Sequence, residues 1–256
     1  MFNTRSVPQL WTQLRRWIFS CWRVSILDLS PNILIPMTRH VAWDIETCPR
    51  PYEELSEAHR ERHRTQCEYE MDDGVDEPTE EVKSKVGSLH PMLGWICCIS
   101  AVAGDLNDGH REPYSWVAAS MDDEAPMLES FWEDIQQLSD HAGQLQWITC
   151  NGKRFDVPFL SARSVRHGIA PTNDRILNTH KYRTDKHLDL ANVWDAPWYG
   201  LEDLCDHLDV ESPKDGFDGS DVAPAIENGN SEKVRRYCER DAVATFQCAQ
   251  AVQAVL

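Results

Sequence analysis

Two carboxylates stand at the end of a strand that has to be buried. In Val41-Ala42-Trp43-Asp44-Ile45-Glu46-Thr47, the stretch from His40 to Ile45 reads as a core strand, with Val41, Trp43 and Ile45 alternating against Ala42 and Asp44. Residues two apart on a strand share a face, so Asp44 and Glu46 point to one place. Such a pair repels unless a cation lies between the two acids, and magnesium or manganese, which prefer oxygen ligands, suits that position. Asp-x-Glu is a common triplet in a chain with 42 acidic residues, so the pair alone defines no site.

Downstream of that strand the pattern is mixed. Glu53 to Lys85 is crowded with charge and reads as a solvated insertion, a polar helix over Glu53 to Arg64 followed by an acidic segment from Met71 to Thr79 with Gly and Pro. Gly94 to Val102 and Tyr114 to Ala118 are expected strands, linked through the turn-rich Gly104 to Gly109 into an antiparallel meander. Met127, Leu128, Phe131, Ile135 and Leu138 fall at helical spacing in Glu124 to Leu138, with Pro126 in the first turn. Leu145 to Thr149 is a fourth strand, and a helix beginning at Pro158 and ending at Gly168 follows it. His187 to Leu190 is a short fifth strand, Gly200 to Leu208 a helix, Ser212 to Ser220 a loop, and Ser231 to Val255 a final helix with Ser231 as its N-cap. The expectation is an α/β domain over residues 37–256, a mixed five-stranded sheet flanked by helices.

Residues 1–36 differ, with four arginines among aromatic residues and Asp28 as the only acid. Arg23 and Asp28 interrupt an apolar run too short to span a membrane, so the expectation is a poorly ordered extension, with Met37 an alternative start, rather than a membrane-surface or sorting helix. Nine cysteines without zinc-site or disulfide-framework spacing read as reduced thiols of a cytoplasmic protein. A formal charge of −17 argues against a broad basic face for nucleic acid, although cations inside a cleft can neutralise phosphate while the outer surface stays acidic.

Two more acids complete a set. Asp156 closes Asn151-Gly152-Lys153-Arg154-Phe155-Asp156 at a strand-to-helix junction, where a carboxylate also suits the helix dipole. Tyr237 and Asp241, four apart, share a helix face. Taken in order, Asp44-Ile45-Glu46-Thr47, then Asn151 with Phe155-Asp156, then Tyr237-x-x-x-Asp241, the chain resembles a DEDDy-type 3′-5′ exonuclease of the ribonuclease H-like superfamily. It is similar in particular to stand-alone exonucleases related to the proofreading domain of family B DNA polymerases. Ser88-Leu89-His90-Pro91, His187 to Leu190, and Lys214 with Gly219-Ser220-Asp221-Val222 support the likeness, which runs from about Arg39 to Leu256.

The resemblance implies the ribonuclease H-like fold and a DNA-repair type of activity, the release of nucleoside 5′-monophosphates from the 3′ end of single-stranded DNA. It makes Asp44, Glu46, Asp156 and Asp241 ligands of two divalent cations, Mg or Mn, with Tyr237 orienting the attacking water. Arg236 stands where the sister class carries histidine. Thr47, Asn151, Phe155 and Lys214 become candidate substrate contacts, with support of the turn an equal role for Asn151 and Phe155. RNA 3′-end trimming by the same site, and a non-catalytic binding module for nucleic acid or protein, are the competing readings. His187 and Asp189 are expected to brace the fifth strand, and Lys153 and Arg154 to touch phosphate or solvent.

Overall fold

The computed structural model describes residues 40–71, 75–142, 145–194 and 199–253. The expectations for residues 1–36 and for the end of the last helix at Val255 lie outside the described residues. Strand β1 (His40–Pro49) is central in the sheet. It pairs antiparallel with β2 (Gly94–Asp105) along its length and parallel with β5 (Gln146–Thr149), which in turn pairs parallel with β6 (His187–Asp189). The outer edge of β2 carries β3 (Gly109–His110) and β4 (Tyr114–Val117) in succession. This mixed sheet, flanked by helices, is the expected ribonuclease H-like α/β arrangement, with six strands rather than five. The extra strand lies in the stretch read as a turn. Gly109, at φ 102°, turns the chain, and Gly104 lets the backbones close to a distance at which a Cβ would lie 2.3 Å from the Gly109 carbonyl. Pro113 has no N–H to donate, and the outer rank breaks there into two strands.

Helices α1 (Glu57–Glu70) and α2 (Glu80–Ser88) precede β2, α3 (Glu124–Ala142) crosses back over the sheet, and α4 (Asp156–Arg166) follows β5. After β6 come α5 (Leu201–His207), α6 (Gly219–Glu227) and α7 (Ser231–Val252). The apolar face of α7 packs Ala242, Phe246 and Ala249 into one core with Ala42, Val102, Ile148 and Leu188 of the sheet. Ala42, Asp44 and Glu46 share a face by the two-residue period, so the two carboxylates look toward α7. Among the described residues no helix is long and apolar enough to cross a membrane.

Three local expectations are corrected. The segment Glu53 to Lys85 is not merely solvated, since Leu55, Cys67, Val86 and Leu93 form a small apolar seam with Val82. Thr79 caps α2 by accepting from the Val82 amide, a signal that charge density obscured. The final helix is preceded by Asn230 as N-cap, and Ser231 is its first residue. Helix α6 starts inside the expected loop, where Asp218 and Asp221 form a capping box that commits the chain to a helix despite Pro224.

A buried ion cluster locks the helices to the sheet. Glu124, fully buried at the start of α3, accepts from the Ile96 amide of β2 at 2.8 Å, from Arg163 Nε of α4 at 2.8 Å, and is 2.8 Å from His167 Nε2. These partners outweigh burial and hold its carboxyl below the usual range. Replacing one member strands a buried charge. Arg163→Met is therefore expected to lower unfolding free energy by about 3 to 5 kcal/mol in urea titration, whereas Glu124→Met with Arg163→Met recovers much of the loss.

Candidate active site

The site forms where three segments distant in sequence meet at the end of β1. Asp44 and Glu46 come from β1 itself. Asp156 opens α4, and its Oδ1 accepts from the Ile45 amide at 3.2 Å, between the two β1 acids in sequence. Tyr237 and Asp241 come from α7, and their side chains lie within hydrogen-bond reach of each other. Asp44 feels Asp156, Glu46 and Asp241, and Glu46 feels Asp241 and Asp156. The fold thus brings all four acids named from sequence within electrostatic reach of one another, beside the tyrosine.

The turn that delivers Asp156 is held from behind. Asn151 adopts φ 67°, a left-handed conformation that asparagine tolerates, and its carbonyl accepts from the Arg154 and Phe155 amides. Gly152 has no room for a side chain, because a Cβ there would lie 2.5 Å from Thr149. Asp189 on β6 accepts from the amides of Asn151 at 2.7 Å and Lys153 at 3.0 Å. His187 Nε2 is 2.8 Å from the Thr149 hydroxyl. His187 and Asp189 accordingly brace the strand and the turn, as expected.

The remaining candidates are placed unevenly. Phe155 is half-buried, 5.2 Å from Phe159 between ring centroids, and lines the same open cleft as Glu46 and Thr47. The Thr47 hydroxyl donates to the Ser88 carbonyl at 2.8 Å and ties β1 to the end of α2. Lys153 is buried and donates to the His180 carbonyl, so its ammonium does not face a substrate; Arg154 is exposed. Lys214 pairs with Glu202 at 2.5 Å, yet lies near enough to Asp241 to oppose, in small part, the rise that burial imposes on that carboxyl. Arg236 is exposed and donates to Glu232.

Two residues were missed from sequence. Cys238 Sγ lies 3.5 Å from the Asp44 carbonyl and 3.7 Å from its Oδ2, and its sulfur groups with ligand atoms of Asp44 and Glu46 within 4.8 Å. Its spacing of three from Asp241 on a helix places it on the same face and could have revealed it. Phe217 packs against Tyr237 with centroids 5.2 Å apart, a contact that no local pattern signals.

Burial first, then mutual repulsion, pushes Asp44 and Glu46 well above the carboxylate range. Burial lifts Asp156 to about 7 against the amides that favour its anion, and lifts Asp241 to about 7 against the Tyr237 hydroxyl, Arg240 and Lys214. Burial and Asp241 also push the Tyr237 phenol upward, so it stays a proton donor. Hard oxygen donors under mutual repulsion fit divalent cations, and Asp44 with Glu46 could hold one.

A family model described as a predicted 3′-5′ exonuclease related to the exonuclease domain of PolB matches residues 89–248, 160 of the 256 residues. The chain belongs to this family. The matched span holds Asp156, Tyr237 and Asp241, while Asp44 and Glu46 precede it and are joined to it by the fold. No curated protein sequence matches the chain.

The raised carboxyls set the pH dependence of the metal-free protein. Between the unfolded value near 3.8 and about 7, native Asp156 and Asp241 hold protons that the unfolded chain has released. Stability therefore falls as pH rises through that window. Calorimetry in chelator is expected to show a melting temperature lower at pH 8 than at pH 5.5 by on the order of 5 °C. Manganese should reverse the drop, and Asp241→Asn should reduce it, leaving the part due to Asp156.

Proposed function

We propose that this protein is a metal-dependent 3′-5′ exonuclease that removes nucleoside 5′-monophosphates from the 3′ end of single-stranded DNA. The observation that carries the reading is that Asp44, Glu46, Asp156 and Asp241 lie within electrostatic reach of one another beside Tyr237. These four acids would hold two divalent cations, Mg or Mn, which would supply an activated water and charge for the leaving oxygen.

The chain's own residues then have distinct tasks. Tyr237, kept protonated by burial beside Asp241, is suited to orient the attacking water by its hydroxyl. Cys238 steadies Asp44 through its thiol, and Asp189 holds the turn from which Asp156 projects. Phe155, on the cleft wall next to Glu46, offers an apolar surface to the terminal nucleotide. Phe217, packed on the Tyr237 ring, limits the positions the phenol can take. Sugar preference depends on contacts to the 2′ position, so DNA is the reading taken and matched RNA is the control.

The purified protein with Mg or Mn is expected to shorten 5′-labelled single strands into a ladder from the 3′ end, faster for DNA than for RNA. The Asp44→Ala Asp241→Ala variant should lose on the order of a thousandfold in rate, about 4 kcal/mol of transition-state stabilisation. Equal activity in that variant would sink the proposal. Tyr237→Phe should lower kcat roughly tenfold or more and leave manganese affinity, measured by calorimetric titration, nearly unchanged. Parallel loss of both would assign the tyrosine a structural role.

A further inference from the structure

Arg50 follows β1 directly and lines the cleft that contains Glu46. The residue is 8% exposed, and its amide is fixed to the Leu93 carbonyl at 2.8 Å. Its guanidinium is poorly matched. Nη1 and Nη2 reach the carbonyls of Met92 and Glu54 only at 3.4 Å, and the buried Nε has no partner among the described residues. Burial, then Arg166 and Arg163, disfavour its charge, and Glu54 and Glu124 oppose them less strongly.

The other described lysines and arginines on the cleft wall are already paired. Arg64 meets Glu57 and Glu61, Lys83 meets Glu80, and Lys85 meets Glu70. A buried cation without a carboxylate partner destabilises a fold. In a chain with 42 acids and 25 bases a partner would be easy to supply, so its absence at Arg50 points to an anion that arrives from outside. The planar guanidinium fork fits two phosphate oxygens.

Position narrows the choice of anion. Four residues of chain, with a bulge after Glu46, put the Arg50 Cα up to roughly 13 Å from that of Glu46, which favours a phosphate upstream of the one at the carboxylates. The cleft spans about 1500 Å³ and continues past Arg50 to Tyr52 and α1, more room than a single small ligand requires. We infer that Arg50 is a phosphate receptor for the nucleic-acid strand, taking a phosphodiester group upstream of the 3′ end held at the carboxylates. This rests on the exonuclease reading for the identity of the strand.

The test compares wild type, Arg50→Gln and Arg50→Lys. Fluorescence anisotropy with a 12-nucleotide single strand, protected by phosphorothioates at its 3′ end, reads binding without hydrolysis. The p-nitrophenyl ester of thymidine 5′-monophosphate reads the chemistry on a substrate too short to reach Arg50. Arg50→Gln is expected to weaken strand binding about tenfold and to lower the slope of log K against log salt by about 0.7, the loss of one phosphate contact. Hydrolysis of the short ester should be unchanged, and the melting temperature equal or higher, because an unpartnered buried charge is gone. Arg50→Lys, which keeps charge but not the fork, should fall between. Identical strand binding by wild type and Arg50→Gln would overturn the inference, as would a lower melting temperature with parallel loss on both substrates. Weaker inhibition by thymidine 5′-monophosphate in Arg50→Gln would assign the contact to product and overturn the strand. Strand binding that depends on Arg50 in a protein hydrolysing neither substrate would sink the exonuclease reading and leave the receptor standing; no strand binding by wild type removes both.

Discussion

Repulsion among Asp44, Glu46, Asp156 and Asp241 is the constraint the rest of the structure has to overcome. Each would be more stable in water, and the fold instead holds Glu46 and Asp156 buried and Asp44 and Asp241 half-buried within mutual electrostatic reach. What holds them there is packing remote from the charges. The α7 face is anchored by Ala242, Phe246 and Ala249 in the sheet core, and α4 is fastened through Arg163 to Glu124. The Asp156 turn is clamped by Asp189 through two backbone amides. A site assembled against its own electrostatics is preorganised for a counter-charge, since the cost of gathering the ligands is met during folding rather than on binding.

That division of labour explains what could be read from the sequence. Strand β1 and helices α3 and α7 carry enough apolar residues at period 2 or 3.6 to show themselves, and the acids ride on them at fixed offsets. Helices α2 and α6 are short and depend on caps at Thr79 and Asp218, beside a charge run and a proline, so pattern reading passed over them. The role of Lys153 was hidden for a different reason. A lysine beside a site residue suggests phosphate, but the turn that presents Asp156 rolls its side chain inward to the His180 carbonyl. Phe217 was beyond reach because it meets Tyr237 only through the tertiary fold.

The charged insertion takes a different meaning once it is folded. A solvated excursion would leave β1 open on that side. Instead the Thr47 hydroxyl holds the end of α2, the seam of Leu55, Cys67 and Val86 packs α1 and α2 down, and these helices supply one wall of the cleft that Glu46 also lines. Because Thr47 follows Glu46 immediately, the same short stretch of β1 fixes both a metal-ligand candidate and the wall.

The acidic surface fits this geometry better than it fits a general nucleic-acid binder. A net charge of −17 repels a polyanion at long range, but the repulsion is screened within about 8 Å at physiological ionic strength. Inside the cleft the balance changes, since Arg64, Lys83 and Lys85 are neutralised by neighbouring glutamates and Arg50 is not. Attraction for phosphate is thus local to Arg50 and not spread over the cleft, whose lining also carries Glu53, Glu80, Glu81 and Glu227. On the exonuclease reading proposed above, a single cation of this kind suits one phosphate of a strand end brought to the site rather than side-on binding of a polyanion.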